Sequence, residues 1–202
     1  MPAELDIRLI VGLGNPGREY ETTRHNAGFW FAERLARKLG ASFNRDAKFS
    51  AEVAKVQVSG REIWLLKPLT FMNVSGKSVG SLAKFFKIEP AEILVAHDEL
   101  DLPTGSAKLK FGGGTGGHNG LKDIAAVTGT QDFWRLRLGI DHPRERGMQQ
   151  DVADYVLHRP SKDDQVAIDE AIDRSLEIWS DIATGSMKTA MLKLHTKKEN
   201  GE

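Results

Sequence analysis

The alternation of apolar and polar positions divides the chain into short strands and helices. Residues 7–11, Ile7-Arg8-Leu9-Ile10-Val11, form an apolar run ending at Gly12, which predicts a buried strand. Gly14-Asn15-Pro16-Gly17 then reads as a turn. From Thr23 to Leu39, apolar side chains recur at Ala27, Phe31, Leu35 and Leu39, the stripe of a helix stopped by Gly40. Residues 53–58 and 61–67 are extended runs joined at Ser59-Gly60, so a β-hairpin is expected. Beyond Pro68, Val74, Ser78, Leu82 and Phe86 mark a second helix. Ile93 to Ala96 is another apolar run, and His97-Asp98 stand where that strand should end. A glycine-rich stretch, Gly112 to Gly120, precedes a short helix at 121–127, and residues 135–140 read as a further strand.

Near the C-terminus, Ser161 followed by Asp164 predicts a capping box. Ile168, Ile172, Leu176, Trp179 and Ala183 then extend one amphipathic helix to Gly185. Met187, Ala190, Met191 and Leu194 predict a last helix before a polar tail from about residue 196. Strands interleaved with helices, plus one hairpin, predict an α/β fold. The expected architecture is a single domain over 1–202, a mixed, mostly parallel twisted sheet with helices on both faces.

Composition narrows the functional classes. A chain of 202 residues, 40% hydrophobic and 28% charged, is globular and of single-domain size. No apolar run approaches the ~18 residues of a membrane span, and the opening residues lack the pattern of a signal peptide. With no cysteine there is no disulfide, thiolate metal site or cysteine nucleophile, which is compatible with the cytosol. Twenty-eight basic residues balance 28 acidic ones, which argues against a generalised polyanion binder. The balance is uneven along the chain, however. Residues 103–150 hold seven basic and four acidic side chains, whereas residues 151–202 hold seven and eleven. A basic middle segment is masked by an acidic C-terminal one.

Three familiar signatures fail on inspection. Gly12-Leu13-Gly14-Asn15-Pro16-Gly17 fits the spacing of a dinucleotide fingerprint, but that site needs a helix N-terminus at the loop, and helical periodicity begins only near Thr23. Gly76-Lys77-Ser78 lacks the earlier P-loop glycine, having Phe71 in its place. His97-Asp98, with Glu99 and Asp101, offers metal donors, yet neighbours on a strand point to opposite faces. A solvated acidic loop is the alternative reading there.

What remains is a set of polar groups at element boundaries: Asn15, His25, Asn73, Asp98 and His118-Asn119. Open α/β sheets bind ligands outside the carboxyl ends of their strands. A histidine beside a carboxylate can activate water, and asparagine amides can hold or polarise a carbonyl without adding charge. Taken singly, His25, Asn15 and Asn73 read equally well as cap and turn residues. The stretch Gly112 to Gly117, five glycines in six residues, reads either as a flexible loop or as a place where a ligand meets backbone.

Together these segments resemble the bacterial peptidyl-tRNA hydrolase family. The resemblance rests on Leu9 to Tyr20, Thr23-Arg24-His25-Asn26-Ala27-Gly28, Lys67 to Asn73, Val95 to Pro103, Gly112 to Asp123 and Arg135 to Ile140, in that order. It implies hydrolysis of the ester joining a peptide to the 3′ ribose of tRNA, which recycles tRNA from peptides dropped by stalled ribosomes. His25 would be the general base and Asp98 its orienting acid. Asn15 and Asn73 would hold the peptide and the reacting carbonyl, and Asn119 the terminal nucleotide or water. Tyr20 and Phe71 would line the cleft, and His118 would shape it. The resemblance implies no metal or cofactor, no obligate protein partner, and a cytoplasmic monomer.

Lys108, Lys110, Arg135 and Arg137 are the candidates for tRNA phosphates, although strand alternation could bury some of them. Residues 143–151 fit the family pattern less clearly. Three rivals stay open: a metal-dependent phosphohydrolase, a non-catalytic tRNA-binding module, and a general esterase or peptidase.

Overall fold

A computed structural model describes residues 5–196. The expected polar tail lies outside the described residues except at its start. The elements in order are β1 (Leu9–Gly12), α1 (Ala27–Lys38), β2 (Asn44–Asp46), β3 (Ala51–Val58), β4 (Arg61–Pro68), α2 (Ser75–Phe85) and β5 (Ile93–Glu99). There follow β6 (Ala107–Phe111), α3 (Asn119–Thr128), β7 (Trp134–Gly139), α4 (Val152–Val156), α5 (Lys162–Glu177), α6 (Trp179–Ala183) and α7 (Met187–Thr196). One mixed sheet of seven strands runs in the order β2-β3-β4-β1-β5-β7-β6. The central strands β4, β1, β5 and β7 are mutually parallel, whereas β3 and β6 run against them.

The sequence of β1 follows from its place. It is paired on both sides and covered on both faces, so all four residues are buried and its pattern is continuous rather than alternating. Its side chains nevertheless divide by face. Ile10 joins a core with Phe31, Leu35, Ile168, Ile172 and Leu194, under α1, α5 and α7. Leu9 and Val11 join a second core with Val79, Leu82 and Ile124, under α2 and α3.

Two glycines set how closely α1 lies against the sheet. A Cβ at Gly28 would stand 2.4 Å from the Ala96 carbonyl oxygen, and one at Gly12 would stand 2.3 Å from that of Gly28. Only glycine permits this approach. It brings the residues before α1 next to the end of β5.

Several boundaries differ from the periodicity. The helix expected from Thr23 starts as a 3-10 turn at Arg24–Asn26 before α1. The single helix expected to reach Gly185 breaks at Ile178, which lies outside helical geometry at φ −93°, ψ 10°. The capping box at Ser161 is half made. The Asp164 N–H donates to Ser161 Oγ at 3.2 Å, but the Asp164 carboxylate binds Arg146 instead of reaching back. The three-residue β2, Asn-Arg-Asp, carries no apolar signal, and α4 is too short to show a period.

Candidate active site

β1 and β5 are neighbours whose outgoing chains lead to opposite ends of the sheet, so a crevice opens between their carboxyl ends. His25, in the 3-10 turn held down by Gly28, and Asp98, on β5, meet in that crevice. His25 Nδ1 lies 2.8 Å from Asp98 Oδ2. The other oxygen of Asp98, Oδ1, lies 2.8 Å from His118 Nε2.

The hydrogen bonds fix the tautomers. His118 Nδ1 accepts from the backbone N–H groups of Gly120 and Leu121, at 3.1 and 3.3 Å, as the N-cap of α3. Its ring proton therefore sits on Nε2 and is donated to Asp98. The carboxylate in turn accepts the Nδ1 proton of His25, which leaves the Nε2 lone pair of His25 available as a base. Burial alone would raise the pKa of Asp98. The two histidines on its oxygens outweigh burial and hold the carboxyl well below the ordinary range. Burial lowers the basicity of His25, but the Asp98 charge and hydrogen bond reverse the sign, so its pKa is raised above 6.5.

His97 is not part of this arrangement. It is buried, bonded through Nδ1 to the Asp98 carbonyl oxygen, and held neutral by that burial with a pKa pushed down to about 3.

The nitrogen and oxygen atoms of His25, Asp98 and His118 lie within 4.8 Å of one another, a spacing a divalent ion could use. The hydrogen bonds oppose it. An ion on His118 Nε2 would have to displace the only ring proton while Nδ1 still faces two backbone donors. The set fits a hydrogen-bonded relay better than a metal centre.

Asn15 is 7% exposed, and its Oδ1 accepts the Met72 backbone N–H at 2.7 Å, which fixes the turn that carries Asn73. Asn73 itself is exposed and has no hydrogen-bond partner among the described residues. Tyr20 and Phe71 stand edge to face at 6.5 Å, and Phe71 is 59% exposed. Asn119 lines a cavity of about 310 Å³ with His25, Asp98, Gly116, Gly117 and α4.

The basic candidates divide. Lys108 and Lys110 are exposed on β6, opposite Arg137 and Arg135 respectively on β7. Arg137 Nε is bonded to Glu99 at 2.8 Å. Arg135 is buried, and its guanidinium donates to the carbonyls of Gly113, Gly114 and Gln131. The sequence suggested a phosphate contact for Arg135; with its donors turned onto the glycine-rich loop, it is a strut for that loop. Gly113, Gly116 and Gly117 have φ of 91°, 59° and 77°, so the loop needs glycine at these positions to follow its path.

Two supporting residues escaped the sequence reading. Asn26 clasps the backbone of Asn15 from both sides, accepting from its N–H at 2.8 Å and donating to its carbonyl at 3.0 Å. Arg24 lies over the Tyr155 ring at 4.0 Å and donates to the Tyr155 and His158 carbonyls, tying α4 to the turn that carries His25. Both flank His25 in sequence, but nothing in a linear pattern shows which carbonyl a side chain will reach.

Known proteins resemble this chain over nearly its whole length. The family model for peptidyl-tRNA hydrolase matches residues 9–202. A peptidyl-tRNA hydrolase of Cupriavidus metallidurans is 56% identical over 195 residues, covering 94% of this chain and 98% of that protein. One from Neisseria meningitidis is 55% identical over 191 residues, covering 95% and 98%. The crystal structure of peptidyl-tRNA hydrolase from Acinetobacter baumannii superposes with a TM-score of 0.88 at 46% identity, covering 93% of this chain and 94% of that one. With its architecture and nearly its whole length matched, this chain belongs to the peptidyl-tRNA hydrolase family.

Proposed function

We propose that the chain, whose family hydrolyses peptidyl-tRNA, does so with His25 as general base and Asp98 as the group that orients it. The observation carrying this reading is the 2.8 Å bond from His25 Nδ1 to a buried, ionised Asp98, which leaves Nε2 free. Water gives a proton to His25 Nε2 as its oxygen attacks the ester carbonyl carbon. The resulting oxyanion collapses and expels the ribose 3′ oxygen, which takes that proton back. The products are a free peptide carboxylate and tRNA with a 3′ hydroxyl. An ester is activated enough for one base and polarising amides to suffice. The Asn73 amide and the Asn15 Nδ2 group are the donors available to the carbonyl, and Tyr20 and Phe71 flank the entering chain.

Lys108, Lys110 and Arg137 form the phosphate-contacting surface, with Asn119 at the terminal nucleotide. Their placement on β6 and β7 agrees with the basic character of residues 103–150. The enzyme works in the cytoplasm, a reading supported by a substrate that ribosomes produce, and as a monomer.

Incubation with N-acetyl-aminoacyl-tRNA and with free aminoacyl-tRNA, each with and without chelator, tests the assignment. Release from the N-acetylated substrate alone, unaffected by chelator and lowered ~10²–10⁴-fold in His25→Ala, is expected. Near-normal turnover by the variant removes His25 as the base, and chelator sensitivity favours the metal-dependent rival.

A further inference from the structure

Gly76-Lys77-Ser78, which falls short of a P-loop, lies in the first turn of α2. A helix start leaves backbone N–H groups without intrahelical acceptors, and a polar N-cap side chain usually supplies one. Val74, the N-cap of α2, has no such group. The acceptor comes from α3 instead. Asp123 Oδ2 accepts the Gly76 N–H at 2.7 Å, across 47 positions of chain.

Glycines let the two helices meet here. A Cβ at Gly76 would stand 2.6 Å from the Asp123 carbonyl oxygen. One at Gly80, a turn later on the same face of α2, would stand 2.5 Å from Val127 Cγ1. The start of α3 touches the same segment, since a Cβ at Gly120 would stand 2.7 Å from Met72 Sδ. Thus α3 abuts the chain on both sides of Asn73, at Met72 and at Gly76. The N-cap of α3 is His118, whose Nε2 holds Asp98.

Resting on the hydrolase reading above, we propose that Asp123 is a positioning residue for Asn73. It ties the start of α2 to α3, so that the Asn73 amide keeps its place relative to His25 and Asp98. Asn73 is exposed and its side chain is bonded to nothing among the described residues, so the backbone sets where its amide lies. That backbone is anchored twice. Asn15 holds the Met72 N–H in front, and Asp123 holds the Gly76 N–H behind. Asp123 is not on the lining of the cavity at His25, so it acts on Asn73 and not on the substrate. A donor to a developing oxyanion works only at about 2.7–3.1 Å, and a misplacement of about 1 Å costs up to ~10²-fold.

The test is a double-mutant cycle on release of N-acetyl-aminoacyl groups from tRNA, with rates per mole of folded protein. It uses Asp123→Ala, Asn73→Ala and the two together. Asp123→Ala alone is expected to lower kcat about tenfold with KM within about twofold, but kcat by no more than about twofold once Asn73 is alanine. The pH midpoint of the rate should stay where it is, because the His25–Asp98 pair is intact. Asp123→Asn, whose amide oxygen still accepts the Gly76 N–H, should bring kcat back to within about threefold of normal. Gly76→Ala separates the helices with the carboxylate in place. It should give the same Asn73-dependent loss, and it carries the comparison if Asp123→Ala does not fold. A normal kcat in Asp123→Ala and Gly76→Ala overturns the proposal, as does a loss of equal size with and without Asn73, or no recovery in Asp123→Asn. A rate unaffected by Asn73→Ala removes Asn73 from the reaction and the proposal with it. Failure of the unaltered protein to release the acyl group instead overturns the hydrolase reading itself.

Discussion

Replacing Asp98 by asparagine should disable the base by rotating a proton rather than by removing a group. Asparagine preserves the shape of the side chain, but one of its two atoms now donates. His118 leaves no choice of orientation. Its Nδ1 is bound by the Gly120 and Leu121 N–H groups, so its Nε2 carries a proton and requires an acceptor. The amide oxygen must therefore face His118, and the amide NH₂ must face His25 Nδ1, 2.8 Å away in the present structure. His25 then has to accept at Nδ1 and carry its proton on Nε2, where the lone pair for water was. The comparable asparagine exchange in the serine-protease triad costs about 10⁴ in kcat by the same misplacement. A loss of ~10²–10⁴, about 3–5 kcal/mol of barrier, is expected here.

The pH profile supplies a second readout. A general base at His25 has to be neutral, and Asp98 raises the pKa of His25 above 6.5, so on the proposed role the rate should climb with pH through a midpoint above that value and then level off. Without the carboxylate the midpoint moves to lower pH, and the deficit of the variant shrinks in acid. The assay is release of N-acetyl-aminoacyl groups from tRNA across pH 5–9, with thermal melting as a check on folding. A folded Asp98→Asn enzyme within tenfold of normal, or with an unmoved acid limb, would refute both the tautomer argument and the source of the raised pKa.

Two further outcomes follow from the geometry. Gly28→Ala places a Cβ 2.4 Å from the Ala96 carbonyl oxygen and 2.5 Å from the Leu13 nitrogen, both backbone atoms that cannot turn aside. Overpacking of this kind costs about 1–3 kcal/mol, and in a chain of this size each kcal/mol lowers Tm by roughly 2–4 °C; an unchanged melting curve would contradict the close approach of α1. Replacing Lys108 and Lys110 together by glutamine should raise KM with little change in kcat. It should also flatten the dependence of log KM on log salt by about one for each phosphate no longer neutralised, and an unaltered slope would place the tRNA elsewhere.

Much of this protein was legible in one dimension. The buried run of β1, the stripe of α1, the β3–β4 hairpin and the Ser161 cap follow from periods of 2 and 3.6 and from local turn chemistry, which act over a few residues. The sequence also singled out His25, Asp98, Asn15 and Asn73, because polar groups at strand and helix ends are conspicuous against apolar surroundings. It underestimated the role of His118, whose two ring nitrogens link a helix cap to the carboxylate, and it offered Arg135 as a phosphate contact. A lysine, an arginine or a cavity wall looks the same in sequence whether it faces solvent or a carbonyl.

Tertiary structure decided the rest. Gly12 and Gly28, sixteen positions apart, allow α1 to approach the sheet, and Asp98 reaches His25 across 73 positions. The chain alone set which residues can form helices, strands and a base. The packing of α1 against β1 and β5 determined which nitrogen of His25 is free, because that depends on hydrogen bonds between segments remote in sequence.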